Sequence, residues 1–213
     1  MREAIVIGTG GHCRVVLSIL LDLGGHHILE IIELSDLRAG ESVLGFPIRV
    51  NGSYLDSLHG LPNVDVFLAI GNNLLRREWW IKIKNLNLPL PNLISPHALV
   101  DRFAKLGEGN VICAKAFIGP ECNIGDNNLI NTGATLDHEV SLGSHSHLCP
   151  SSTIAGRSSV QDNCFIGAGA VVIDGINIAA STTLGAGSIV TRNVDLSGDT
   201  YVGVPAKIMN RSL

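Results

Sequence analysis

Three of the chain's eight histidines, His138, His145 and His147, fall within ten consecutive residues, and the carboxylates Asp137 and Glu139 flank the first of them. Imidazoles in such a group can do three things. Two or three of them can hold zinc, with Cys149 nearby as a further ligand. One can act as a general base, its tautomer fixed and its basicity raised by an adjacent carboxylate. Or each can be a solvated polar side chain, the usual state of a surface histidine. The spacing 138, 145, 147 does not define a convergent tetrahedral set, so no metal is expected to be required. Choosing among these readings depends on the elements that position the three rings.

The 213 residues suffice for one or two domains with real cores. The net charge is −4 and no basic run exists, so nucleic-acid binding is not expected. No stretch approaches the ~20 apolar residues of a membrane span, and the start, "MREAIVIGTGG", is too short in apolar residues for a signal peptide. The five cysteines are odd in number and contain no C-x-x-C, which suits reduced thiols. A soluble, cytoplasmic protein without a membrane partner is the expectation. Aromatics make up only 4%, while glycine reaches 24 residues. Such a composition suits a repetitive core of small aliphatics.

The repeat is explicit. Every sixth residue from Val100 to Val190 is Ile, Leu or Val, sixteen positions in succession. The next residue is often Gly (107, 119, 125, 143, 167, 185), and the fourth after is mostly small, as at Ala104, Ala116, Cys122, Ala134, Ser146 and Ser152. This is a hexapeptide repeat. Six residues make one short strand and a corner, three such units close a triangular coil of eighteen, and coils stack at about 4.8 Å. Residues 100–195 amount to just over five coils, uninterrupted by any long insertion. A solenoid of this kind needs caps. The preceding domain and the tail "TYVGVPAKIMNRSL" can supply them.

A period of eighteen turns sequence distance into vertical neighbours. Eighteen residues after His138 comes Gly156. No side chain then stands over the imidazole, which leaves room for a ligand and exposes an amide. A base facing an open N–H donor is the arrangement acyl transfer requires. His145 keeps the bland reading, and His147 is intermediate.

The first ~90 residues read as α/β, and the proline-bearing stretch "NLPLPNLISP" closes them, giving domains 1–90 and 91–213. "AIVIG" suits a buried parallel strand and residues 11–25 a helix ending at Gly24-Gly25. "HILEIIEL" and "VDVFLAIGNN" are further strands, and "LLRREWWIKIKN" a second helix. The turn "GTGGHC" between strand and helix can cradle phosphates with its backbone amides. The third glycine of G-x-G-x-x-G would be residue 13, which is Cys, so NAD is not indicated; a tight turn without a ligand remains the alternative. Thr9, Gly10, Gly11 and His12 in that turn, Glu33 at the expected acid position, and Gly71, Asn72, Asn73 and Arg76 around the third strand's end are the candidate substrate-binding residues. Arg76 is expected to neutralise a phosphate.

Taken together, "IVIGTGGHCRVV", "FLAIGNN" with Arg76, "LISPHALV", "INTGATLDHEV" with "SHL", and "VGVPAK" resemble the NeuD/PglD-type hexapeptide-repeat sugar acetyltransferases over nearly the whole chain. The resemblance implies a small Rossmann-like α/β domain that holds a nucleotide sugar. A left-handed parallel β-helix follows it, wound against the usual right-handed crossover. It implies a homotrimer with acetyl-CoA in the cleft between subunits. By position it implies His138 as general base with Glu139 tuning it, and Asn131 and Asp137 at the sugar. His147 would lie near the thioester, Gly156 would offer its amide to the acetyl carbonyl, and Ala168 and Ala186 would lie along CoA. The implied reaction is direct acetyl transfer to a sugar, most readily the amino group of a nucleotide-linked 4-amino sugar. A sialic acid-type O-acetyltransferase, a β-helical zinc enzyme of the carbonic-anhydrase kind and a catalytically silent binding trimer are the alternatives.

Overall fold

The computed structural model describes residues 1–33, 40–50 and 63–209. Leu34, the last residue of the expected second strand, and the last four residues of the tail lie outside the described residues. The chain divides into two compact units, Met1–Pro96 and His97–Leu213.

The first unit is built on β1 (Arg2–Ile7), which pairs in parallel with β2 (His26–Glu33) on one side and β5 (Val64–Leu68) on the other. Beyond β2 lies β4 (Phe46–Val50), also parallel, and β3 (Ser42–Val43) closes that edge antiparallel to β4. Ala4 to Ile7 and all of β5 are buried, as a parallel strand covered on both faces must be. Helix α1 (Gly11–Leu23) ends at Gly24, whose left-handed φ of 65° lets its amide reach the Leu20 carbonyl. Helix α2 (Asn73–Asn85) starts under the side chain of Asn72, which accepts from the Leu75 amide at 2.9 Å. One carboxylate is buried in this sheet. Burial alone would raise the Asp65 carboxyl, but hydrogen bonds from Arg2 and His26 prevail and hold it below the usual range.

The second unit is a parallel β-solenoid. Two-residue strands recur every six residues from β7 (Leu99–Val100) to β22 (Ile189–Val190), and β6 (Leu93–Ile94) carries the same spacing one step earlier. Partners lie eighteen apart, as in Phe117↔Thr135↔Thr153↔Val171↔Ile189. The inward residue is the second of each strand. Of the sixteen positions from Val100 to Val190, all but Val100 and Leu106 are buried. The glycine that often follows lets coils approach: an added Cβ at Gly125 would lie 2.9 Å from the Gly143 carbonyl carbon.

The corners obey a rule that hydropathy does not reveal. Every sixth residue from Gly109 to Gly187 has left-handed φ, between 54° and 71°, and nine of these fourteen are not glycine. Left-handed backbone costs an L-residue roughly 1–2 kcal/mol. Here, from Asn127 to Gly187, it aims each corner amide at the carbonyl nineteen residues back, as in Glu139 to Pro120 and Arg157 to His138, so the ladder continues around the bend. Polar side chains inside a second corner line do similar work: Asn110 accepts from the Asn128 amide, Asn128 from Ser146, and Ser146 from Cys164. After the last coil, β23 (Thr200–Val202) pairs in parallel with β21 (Thr183–Leu184), and β24 (Lys207–Ile208) folds back antiparallel to finish the stack. Among the described residues, no helix is long and apolar enough to cross a membrane.

Candidate active site

The three histidines share one coil but not one place. His138 follows β13 (Thr135–Leu136), on the corner leading to β14 (Ser141–Leu142). His145 occupies the next corner, and His147 lies on the following face, in β15 (His147–Leu148). Among the described residues, no group of three or more His, Cys, Asp and Glu side chains is gathered as a metal site needs.

His138 is held from two sides. Its Nδ1 lies 2.9 Å from Glu139 Oε2, and its backbone amide donates to Asp137 Oδ1 at 2.8 Å. A carboxylate can only accept, so Nδ1 carries the proton in that bond and Nε2 presents a lone pair. Glu139 takes this position because it is a left-handed corner residue, with φ 59°. The imidazole is 42% exposed and packs closely against the next coil: a Cβ built on Gly156 would stand 2.4 Å from His138 Cε1 and 2.5 Å from Nε2. Only glycine leaves space for the ring.

The Gly156 amide is set apart as well. In this repeat the residue before each left-handed corner keeps its N–H out of the backbone ladder, and a side chain commonly accepts it. Asp162 accepts from Ser144, Ser144 from Asp126, and Asp126 from Glu108. Among the described residues, no hydrogen bond is made by the Gly156 amide, while its carbonyl accepts from Gly175.

Around this pair, Asn131 Nδ2 lies 3.3 Å from His147 Nε2, and the His147 ring meets Phe165 edge-on at 5.2 Å. Ala168 and Ala186 are exposed and one coil apart on a single corner line, linked by the Gly187 amide to the Ala168 carbonyl. His145 is tied by Nδ1 to Asn127 in the previous coil at 2.8 Å. The cysteines are all buried, and burial pushes the Cys113 thiol up to about 12 and those of Cys149 and Cys164 up to about 11. None is poised as a nucleophile. At the far end of the solenoid, a cavity of about 330 Å³ lies between the last coil and the terminal hairpin, lined by Arg192, Tyr201 and Lys207 among others. Sequence reasoning did not single out these residues. The "VGVPAK" segment ends on Lys207, and its two neighbouring contributors follow only from the closure of the last coil.

The first unit has its own crevice. In the order β3-β4-β2-β1-β5, the chain passes from β1 outward on one side through β2 to the β3–β4 edge and returns as β5 on the other side of β1, so the turns after β1 and β5 flank a switch point at the strands' carboxyl ends. Gly8 is required here: its φ is 103°, and a Cβ would fall 2.8 Å from the Ala69 carbonyl oxygen. Gly10, Gly11 and Gly71 face open space, where an added Cβ meets nothing within 4 Å. Thr9 Oγ1 donates to the Glu33 carboxylate, which brings the first turn and the end of β2 together. Half-buried His12 begins the second position of α1. Asn72 and Asn73 open α2. Arg76 is placed differently from a phosphate ligand: it is 2% exposed, donates to the carbonyls of Ile70 and Gly71 and to Asn73 Oδ1, and burial lowers its guanidinium to about 10. It shapes the loop from within, a role that helical spacing alone does not distinguish from a charge at the crevice.

Residues 3–83 match the PglD N-terminal domain family. No curated protein sequence matches the chain. Among solved structures, the acetyltransferase domain of PglB from Neisseria gonorrhoeae FA1090 is 33% identical, covering 98% of this chain and all of that one, with a TM-score of 0.91. The same domain has been solved with acetyl coenzyme A. PerB from Caulobacter crescentus, solved with CoA and GDP-perosamine, is 37% identical over 98% of this chain and 97% of that one, with a TM-score of 0.90. Variants of the Caulobacter crescentus perosamine N-acetyltransferase with one histidine replaced by asparagine or alanine have been solved with the same two ligands. With likeness at this level along its whole length, the chain belongs to the NeuD/PglD-type hexapeptide-repeat sugar acetyltransferases.

Proposed function

We infer that the protein transfers acetyl from acetyl-CoA to the amino group of a nucleotide-linked amino sugar, with His138 as general base. The observation that carries this reading is the corner itself: an imidazole oriented by Glu139, with Nε2 presented and a glycine above it that no other residue can replace. In the proposed step the sugar amine attacks the thioester carbonyl carbon and a C–N bond forms. Nε2 takes the proton that the nitrogen sheds, while Glu139 steadies the imidazolium. The tetrahedral oxyanion accepts from the Gly156 amide. Collapse breaks the C–S bond, and the CoA thiolate leaves with the proton returned from imidazolium. No acyl-enzyme is involved, in keeping with thiols that burial holds protonated.

Binding is divided between the units. Asn131, Asp137 and His147 are assigned to the acceptor and thioester end. Ala168 and Ala186 give a small-residue track for the pantetheine arm, and Arg192, Lys207 and Tyr201 offer two cations and a ring suited to its phosphorylated nucleotide end. Thr9, Gly10, Gly11, His12, Glu33, Gly71, Asn72 and Asn73 are assigned to the sugar's nucleotide, with Arg76 holding their loop in shape. A homotrimer placing CoA between neighbouring solenoids is part of this reading. The relatives support the choice of ligands: PerB has been solved with CoA and GDP-perosamine, and the PglB domain with acetyl coenzyme A. The test is a panel of nucleotide-linked 4-amino sugars, GDP-perosamine included, with acetyl-CoA, following release of free thiol and the acetylated product by mass. Thiol release with an amide product is expected. An ester product with sialic acid and none with amines would replace the reading by O-acetylation. Activity lost on chelation and restored by zinc would replace it by a metal mechanism.

A further inference from the structure

The eighteen-residue register places an ion pair over the His138–Glu139 hydrogen bond. Arg157 stands one coil above Glu139, and Asp174 one coil above Gly156, two above His138. Arg157 Nη2 donates to both carboxylate oxygens of Asp174, at 3.0 and 2.8 Å, and the Arg157 amide is the donor to the His138 carbonyl. Asp174 raises the guanidinium first by its hydrogen bond and then by its charge, and Glu139 adds a weaker pull in the same direction. Glu139 is thus the other carboxylate within Arg157's influence. By register, the other charges on these two columns nearest the pair are Asp137 beside them, Glu121 directly below Glu139, Arg102 two coils below His138, and Arg192 one coil above Asp174.

We propose that Asp174 is a positioning residue that keeps Arg157 turned away from Glu139, so that the Glu139 carboxylate stays on His138 Nδ1. The proposal rests on His138 and Glu139 being the catalytic pair. Exposed ion pairs contribute little to stability, and both side chains here are more than half exposed, Arg157 60% and Asp174 52%. The value of this pair lies instead in what Arg157 would do without it. An unpartnered guanidinium is a fork of donors suited to a carboxylate. Released from Asp174, it competes with His138 for Glu139, and the base loses the group that orients it.

The experiment is a double-mutant cycle read as pH profiles of kcat and kcat/KM. Asp174→Asn is expected to lower kcat about fivefold to tenfold and move the acid limb of kcat/KM to lower pH by roughly half a unit, with KM for both substrates little changed. Arg157→Gln alone should have a smaller effect and move the limb the other way, because Asp174 then faces the imidazole unpaired. The double variant should return to within about twofold of the parent. Thermal melting of each variant separates this from a folding defect, since a merely structural pair would not move the pH limb. Additive losses in the double variant, or an unmoved limb in Asp174→Asn, would overturn the proposal. Should His138→Ala retain activity, the underlying reading fails instead, and the two failures are distinct.

Discussion

His138 and His145 stand on adjacent corners of the same coil and differ in what lies above and below them. His145 is itself a left-handed corner residue, with Asn127 beneath it, bonded to its ring at 2.8 Å, and Asn163 at the matching place above. Its column is filled, and its nitrogen serves the stack. His138 precedes its corner, has Pro120 below and Gly156 above, and turns its bonded nitrogen sideways to Glu139. Its column has a gap where a substrate atom can enter. The difference is made by a glycine eighteen residues away rather than by the histidines.

The largest test of that contrast is to remove each ring. His138→Ala should lower kcat by ~10²- to 10⁴-fold with KM little changed, whereas His145→Ala should leave kcat within about twofold. Equal losses would erase the distinction between the corners. Next is the gap itself. In Gly156→Ala the new methyl would stand 2.4 Å from Cε1, so the imidazole must move; a loss of kcat of about 10- to 100-fold is expected from the misplaced base, with thermal stability nearly retained. Asn163→Ala, a truncation at the matching place over His145, should do nothing to rate. Third, Glu139→Gln keeps a hydrogen-bonding group but removes the charge, and kcat should fall about tenfold. The smallest effect belongs to the structural corner. Asn127→Ala should cost about 0.5–1.5 kcal/mol of stability with kcat unchanged, read by chemical denaturation beside a steady-state assay.

Much of this was legible before the fold was seen. The sixteen aliphatic hexads are the sixteen inward positions from Val100 to Val190, and arithmetic by eighteen placed Gly156 over His138. Inward packing is a statement about hydropathy, which a sequence displays directly. The left-handed corners were not legible, because Lys115, Glu121, Ser151 and Arg157 carry no conformational signature; their φ is imposed by the ladder they join. Nor was the β3–β4 edge, whose strands are short, or the burial of Arg76, since a charged residue on a helix looks like surface until its donors are seen turned onto the Ile70 and Gly71 carbonyls. Gly8 was overlooked within a glycine-rich turn in favour of its neighbours. Its necessity comes from Ala69, some sixty residues away.

The unbroken register from β7 to β22 also makes the solenoid a screw thread with a fixed phase. Inserting or deleting eighteen residues away from the catalytic coil changes the length of the thread and leaves every face pointing as before. Six residues turn everything downstream by a third of a revolution, so Ala168 and Ala186 would swing away from the edge that carries them. A single residue strips the thread, because each inward aliphatic then moves to the neighbouring, outward-facing position. Length along this molecule is therefore adjustable only in whole turns, and the distance from His138 to the terminal cavity at Arg192 and Lys207 is set as a count of coils.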